Sequence, residues 1–276
     1  MSGVDNLHTS TARIYTSYPA HQPPPHPGEA WTRFVCISDT HSRTHYDVPD
    51  GDVLLHAGDL SSWGKYKQLR KTVNWLKELP HPVKVIIAGN HDLALDEAWR
   101  EGSAWTDKVG SAIPTIDVDK AKAMMRSKET KAAGIHYLQH ESAEITLENG
   151  RTWRFYGSPA APRYALGAFQ YTTHSEAEAI YSRIPPETEI LLTHTPVHGH
   201  CDLSSSGTHA GCRNLEKHMK KLTRCRLHVY GHIHEAWGAA LQESTSVDAH
   251  GEIVDRVHVN AAIEQSERAI IVDLLN

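Results

Sequence analysis

Short, continuous apolar runs punctuate this chain, and each ends abruptly in polar residues. The runs are Arg33-Phe34-Val35-Cys36-Ile37, Val53-Leu54-Leu55, Val83-Lys84-Val85-Ile86-Ile87, Ile190-Leu191-Leu192 and Leu227-His228-Val229-Tyr230. Runs of that length without alternation predict strands buried on both faces. Between them the period changes. Leu69, Val73, Leu76 and Leu79 recur at three- and four-residue steps, which predicts a helix from about Lys65 to Leu79, closed by Pro80. A second helix is expected from Val118 to Ala133 with Gly134 as its stop, and two more from Ser175 to Arg183 and Asn214 to Leu222. Strands alternating with helices predict βαβ units and a mainly parallel sheet. Ile145-Thr146-Leu147, then Asn149-Gly150, then Thr152 to Tyr156 predicts a hairpin. A further pair of strands fits Val257 to Val259 and Ala269 to Val272. Hairpins inserted among βαβ units predict two packed sheets with helices outside, a layered α/β sandwich.

The first 30 residues differ. Apolar residues are few, and Pro19, Pro23, Pro24, Pro25 and Pro27 crowd the segment. It is expected to be a flexible, polyproline-like arm, with Ile14, Tyr15 and Tyr18 as its possible contacts with the body. Residues 31–276 are expected to form one domain, a size sufficient for a large buried core.

Composition narrows the function mainly by exclusion. With 39% hydrophobic and 22% charged residues, the chain reads as an ordinary soluble globular protein. A net charge of -5 provides no basic field for long nucleic acids. No apolar run is long enough for a bilayer, and no basic-then-apolar leader opens the chain. Cys36, Cys201, Cys212 and Cys225 lack CxxC spacing and are expected as free thiols, which suits a cytoplasmic location.

The polar residues that end the runs carry the chemistry. They are Asp39-Thr40-His41, Gly58-Asp59, Gly89-Asn90-His91-Asp92, Thr193-His194-Thr195 and Gly231-His232-Ile233-His234. In open α/β sheets ligands bind beyond the carboxyl ends of the strands, so these five pieces are expected at one rim. Three Asp or Asn oxygens and four imidazoles can surround two divalent metal ions that share a carboxylate. Such mixed donors suit Mn²⁺, Fe or Zn²⁺ rather than Ca²⁺. Two ions about 3.5–4 Å apart can clamp phosphoryl oxygens, which points to hydrolysis at phosphorus. Each piece alone is an ordinary strand ending; their joint occurrence makes the signal specific.

In this order the five pieces resemble the signature of the calcineurin-like metallophosphoesterase superfamily, over a stretch from about Phe34 to Asp273. The segments Arg33 to Ser42, Ala88 to Asp92, Tyr156 to Pro159 and Leu227 to Gly231 are similar to its metallophosphoesterase-domain-containing, foetal-brain-type branch. The resemblance implies a four-layer αββα sandwich of two mixed sheets flanked by helices. It also implies Asp39, His41 and His234 around one metal, Asn90, His194 and His232 around a second, and Asp59 as the bridge. His91 would face the substrate, with Asp92 holding its imidazole in place. Members of that branch can carry Gly where His232 stands, so this chain keeps a ligand that some relatives lack.

The segment Leu60-Ser61-Ser62-Trp63 after Asp59 has no Arg of the kind protein Ser/Thr phosphatases use to clamp a monoester dianion. Arg43 and Arg163 are the nearby loop residues able to compensate. Gly-Asn-His-Asp resembles class III cyclic-nucleotide phosphodiesterases. The expected activity is therefore hydrolysis of a small phosphodiester, a 2′,3′- or 3′,5′-cyclic nucleotide above all, by attack of a metal-bridging hydroxide. The alternatives are a phosphomonoesterase acting on a phosphoprotein or nucleotide, and a metal-binding interaction module. The loop from Pro196 to Cys212 is expected to shape the substrate pocket, with His198 and His200 as substrate contacts alongside Asn260.

Overall fold

A computed structural model describes residues 6–19, 21–101, 103, 116–243 and 255–276. The predicted runs form parallel strands. In the first sheet these are β3 (Trp31–Ile37), β4 (Val53–His56), β5 (Val83–Ile86) and β6 (Ile135–Tyr137). The last strand, β15 (Ile270–Leu275), joins that sheet antiparallel to β3. The second sheet is built on β8 (Thr152–Ser158), β11 (Ile190–Thr193), β12 (Leu227–Tyr230) and β14 (Arg256–Asn260), all parallel. Its edges are the antiparallel strands β7 (Glu141–Thr146) and β13 (Gly238–Gln242). A two-stranded ribbon of β9 (Ala161–Pro162) and β10 (Gln170–Tyr171) stands apart from both sheets.

Strand periodicity explains the layering. Along β3, Phe34 and Cys36 point into the core between the sheets, while Val35 and Ile37 point to the opposite side. On that opposite side lie helices α1 (Tyr66–Glu78) and α2 (Val118–Met125), which contribute Leu69, Val73, Leu76, Ala121 and Met125. The second sheet repeats the scheme. Phe155, Ile190, Leu192 and Val229 meet the first sheet, while Tyr156, Leu191 and Tyr230 pack on α4 (His174–Tyr181) and α5 (Arg213–Met219). The result is the expected four-layer αββα sandwich.

Several boundaries differ from the sequence reading. The helix expected over 118–133 is two: α2 ends at Met125, and Ser127 caps a new helix, α3 (Lys128–Ala132), by accepting from the Thr130 amide. The strands at 257–259 and 269–272 are not partners but belong to different sheets. Of the arm expected over residues 1–30, residues 1–5 and 20 lie outside the described ones, and the described part differs from a flexible segment. Residues 6–15 form β1 (Asn6–His8) and β2 (Ala12–Tyr15), and β2 pairs antiparallel with β15. Ala12 and Ile14 are buried in the inter-sheet core, and the Tyr18 hydroxyl donates to the Ala269 carbonyl. The proline segment is anchored as well. The Arg33 guanidinium donates to the carbonyls of Pro24 and Pro25 while holding Asp273 in a buried bidentate pair at 2.7 and 2.8 Å. No helix among the described residues is long and apolar enough to cross a membrane. All four cysteines are free.

Candidate metal centre

β3, β4 and β5 lie side by side in one sheet, and β11 and β12 in the other. Asp39, Asp59 and Asn90 follow the first three strands; His194 and His232 follow the other two. Parallel order therefore brings residues far apart in sequence to one rim. The turns there are tight. Asp39, His41, Asp59 and His232 all take positive φ, at 56°, 45°, 53° and 69°. Such left-handed geometry costs a non-glycine residue about 1–3 kcal/mol and persists only where the surroundings enforce it. Here they do. The amides of Asp39, His41 and Ser42 donate in turn to the carbonyls of Gly58, Asp59 and Leu60, lacing the two loops together. Gly58, at φ 106°, leaves no room for a side chain: a Cβ there would lie 2.6 Å from His194 Nδ1.

The donor atoms converge in two groups joined by Asp59. His234 Nε2 lies 3.1 Å from Asp39 Oδ1 and 3.4 Å from His41 Nε2. His41 Nε2 lies 3.8 Å from Asp59 Oδ2. On the other side of Asp59, His194 Nε2 is 3.5 Å from Oδ1 and 2.9 Å from Asn90 Oδ1. The His232 and His194 rings stand 5.0 Å apart, and the His232 amide donates to both Asp39 oxygens at 3.1 Å. The groups Asp39–His41–His234, Asp39–Asp59–His194 and His41–Asp59–His91 each bring their ligand atoms within 4.8 Å of one another. His194 Nδ1 donates to the Ala57 carbonyl, which aims its Nε2 at Asp59 and Asn90.

Electrostatics fits the same purpose. Burial raises the Asp39 carboxyl, but the hydrogen bond from His234 and the charges of His194, His234 and His41 outweigh it, holding the group well below the usual carboxylate range. Asp59 is likewise raised by burial yet brought down to about 2, mainly by His194. Burial lowers His194, but Asp59 and Asp39 overcome that and push it up to about 9. Desolvation and the nearby His194 hold His232 down to about 4. Two ionised carboxylates facing a cluster of imidazoles form a donor set that divalent cations can share, displacing the protons now held there. The residues thus fit a metal-binding role.

The structure gives Asp92 a different part from the expected one. Asp92 was expected to hold the His91 ring; its carboxylate instead accepts from the Leu60, Ser61 and Gly89 amides and the Ser61 hydroxyl at 2.7–3.0 Å. Four donors from two loops leave that carboxylate fully engaged in holding the Asp59 loop against the Asn90 loop. The His91 ring is fixed by the Ser62 carbonyl, which accepts from Nδ1 at 2.6 Å and leaves Nε2 as the atom able to take or give a proton. The His91 amide donates to Asp59 Oδ1 at 2.8 Å.

The expected substrate contacts also differ. Asn260 Nδ2 donates to the Ile233 and Cys201 carbonyls, and its Oδ1 accepts from the Ala262 amide, so it anchors the His232–His234 turn. His200 stacks on His258 with centroids 4.3 Å apart, and His198 lies 3.6 Å from buried Asp202. The first contact ties the Pro196–Cys212 loop to β14, and the second lies within the loop itself. Arg43 is paired with Glu264 at 2.7 Å, and Arg163 lines a separate cavity of about 470 Å³ beside α4 and α5.

Glu264 is a site residue that the sequence reading missed. It sits on the short helix α6 (Ile263–Ser266), with Oε2 3.0 Å from His234 Nδ1 and 3.7 Å from His41 Nε2. A carboxylate behind a ligating imidazole orients it and raises its basicity. Only its place just beyond Asn260, at the end of a buried strand, could have signalled this.

The family profile described as calcineurin-like phosphoesterase matches residues 32–236. The chain is 34% identical over 228 residues to metallophosphoesterase domain-containing protein 1 of Homo sapiens, covering 82% of this chain and 67% of that protein. A UPF0046 protein of Caenorhabditis elegans is 32% identical over 224 residues, covering 81% and 70% respectively. Probable rhamnogalacturonate lyase C of Emericella nidulans is 37% identical over 207 residues, but this chain spans only 17% of that longer protein. The profile match takes in every strand end that carries a candidate ligand, from Asp39 to His234. The chain belongs to the calcineurin-like phosphoesterase family, and with it to the metal-dependent phosphoester hydrolases.

Proposed function

We propose that this protein is a dinuclear-metal phosphodiesterase of the cytoplasm that hydrolyses small phosphodiesters, with 2′,3′- or 3′,5′-cyclic nucleotides as the leading class. The observation that carries the diester reading is the run directly after Asp59, which holds no Arg to serve as a clamp. The residues after Asp59 are Leu60, Ser61, Ser62 and Trp63, and Arg43 is engaged by Glu264. A monoester dianion gains most from such a clamp, whereas a monoanionic diester needs it less.

In this reading Asp39, His41 and His234 would hold one ion, Asn90, His194 and His232 would hold the other, and Asp59 would serve both. Mn, Fe or Zn suits the donors. Bound there, the ions supply Lewis acidity and activate water at neutral pH. The chain's own residues do the rest. Asp39, Asp59 and His194 form the buried floor, while His41, His91, His232 and His234 are partly exposed, so substrate approaches from the imidazole side. His91, with Nδ1–H committed to the Ser62 carbonyl, presents Nε2 to protonate the departing oxygen.

The test compares bis(p-nitrophenyl) phosphate with p-nitrophenyl phosphate on metal-loaded protein, followed by a panel of cyclic nucleotides. A preference for the diester and turnover of at least one cyclic nucleotide are the expected results. Preferential cleavage of the monoester would make the protein a phosphomonoesterase instead.

A further inference from the structure

Four large apolar side chains stand exposed among the described residues: Trp63, Tyr164, Leu166 and Leu203. Isolated exposure of this kind is ordinary. Trp63 differs in its setting. Its indole is 64% exposed, yet its ring centroid lies 5.4 Å from that of His91, at an interplanar angle of 53°.

The segment that presents the indole is fixed on both sides. Before it, the Ser62 carbonyl accepts from His91 Nδ1, and the Ser62 hydroxyl donates to the His41 carbonyl. After it, the Gly64 amide donates to Ser61 Oγ at 3.1 Å, and Ser61 is itself bonded to Asp92. Gly64, at φ 67°, lies against the Leu93 backbone so closely that a Cβ would come within 2.6 Å of the Leu93 amide nitrogen. The Trp63 amide donates to Gln68 Oε1 at 3.1 Å. The backbone that carries the indole therefore belongs to the same laced turns that carry Asp59 and His91.

We propose that Trp63 is a stacking platform for the base of a nucleotide substrate and thus a specificity-determining residue of this site. The inference rests on the diesterase reading for its placement. If His91 Nε2 protonates the leaving oxygen, the nucleoside attached to that oxygen lies on the His91 side of the ligands. The base, one sugar further out, then meets the next ring in line, which is the indole. Stacking on an aromatic face is tolerant of base identity, so Trp63 selects for the presence of a base rather than for a particular one.

The test uses the full chain loaded with Mn²⁺ and measures equilibrium binding of two uncleavable ligands, the 5′-methylenephosphonate analogues of AMP and of ribose 5-phosphate. The wild-type protein should bind the base-bearing analogue about 10-fold more tightly. Trp63→Ala should bring that ratio close to one, and Trp63→Phe should restore most of it. In turnover, the ratio of KM for a base-free diester, cyclic glycerol 1,2-phosphate, to KM for a cyclic nucleotide should fall by a similar factor in Trp63→Ala. No base preference in the wild type overturns the proposal. So does an equal loss of both analogues in Trp63→Ala, which would make the indole a support for His91. The binding arm does not depend on which ester is cleaved, so failure of the diesterase reading would show separately in the p-nitrophenyl comparison.

Discussion

At the scale of single residues, the centre combines strained backbone with buried charge. Four of its seven candidate ligands occupy left-handed conformations, and Asp39 and His194 are fully buried. These ligands were legible because each stands at the end of an apolar run, where a polar residue has no packing reason to be. Glu264 was not, since a glutamate on a one-turn helix has no pattern to distinguish it. His232 is the sharpest test of the second ion. Replacing it with Ala should lower turnover at least about 100-fold, the upper range for disturbing groups behind a ligand. Metal analysis should show a loss of one equivalent. Wild-type turnover in that variant would sink its assignment as a ligand.

Secondary-structure elements contribute through their ends and their pairing. The helix over 66–78 and the inner strands follow from period and length, as the sequence reading had them. β1 and β2 did not, because short strands take their stability from partners. For β2 the partner is β15, more than 250 residues away, and local composition shows nothing of that pairing. The break between α2 and α3 escaped for the opposite reason: Ser127 acts locally, but its capping role depends on a turn that apolar spacing does not show. Asp92 is an example of a motif residue whose role lies in joining elements. Asp92→Ala leaves four buried donors without their acceptor and should cost about 3 kcal/mol in urea unfolding. Activity should fall with it as the β4 and β5 loops separate. Unaltered stability would return Asp92 to a role beside His91.

For the whole molecule, histidine burial sets the response to acid. Burial pushes His56 down to about 3 and holds His228 and His258 well below the ordinary imidazole range. In the unfolded chain these groups titrate near about 6.5. As pH falls, the folded protein therefore binds fewer protons than the unfolded chain. Their contribution is complete above that value and is lost as pH drops, with a slope approaching about 4 kcal/mol per pH unit for the three together. His194, raised in the metal-free protein, has the opposite sign: its contribution is present below the unfolded value and lost as pH rises through about 9. Urea midpoints should fall steeply between pH 6 and pH 4; a flat profile there would contradict the buried neutral state. The origin of the ligands has a mechanical consequence too. Asp39, His41, Asp59 and Asn90 belong to one sheet, and His194, His232 and His234 to the other. An ion shared between the groups is a rivet through the seam of the sandwich. Loading at a hundredfold excess over Kd should add about 2.7 kcal/mol to stability. A chelator, besides halting hydrolysis, should unfasten the two sheets along that rim, read as faster amide exchange at the ends of β4 and β12 while the far edge stays protected.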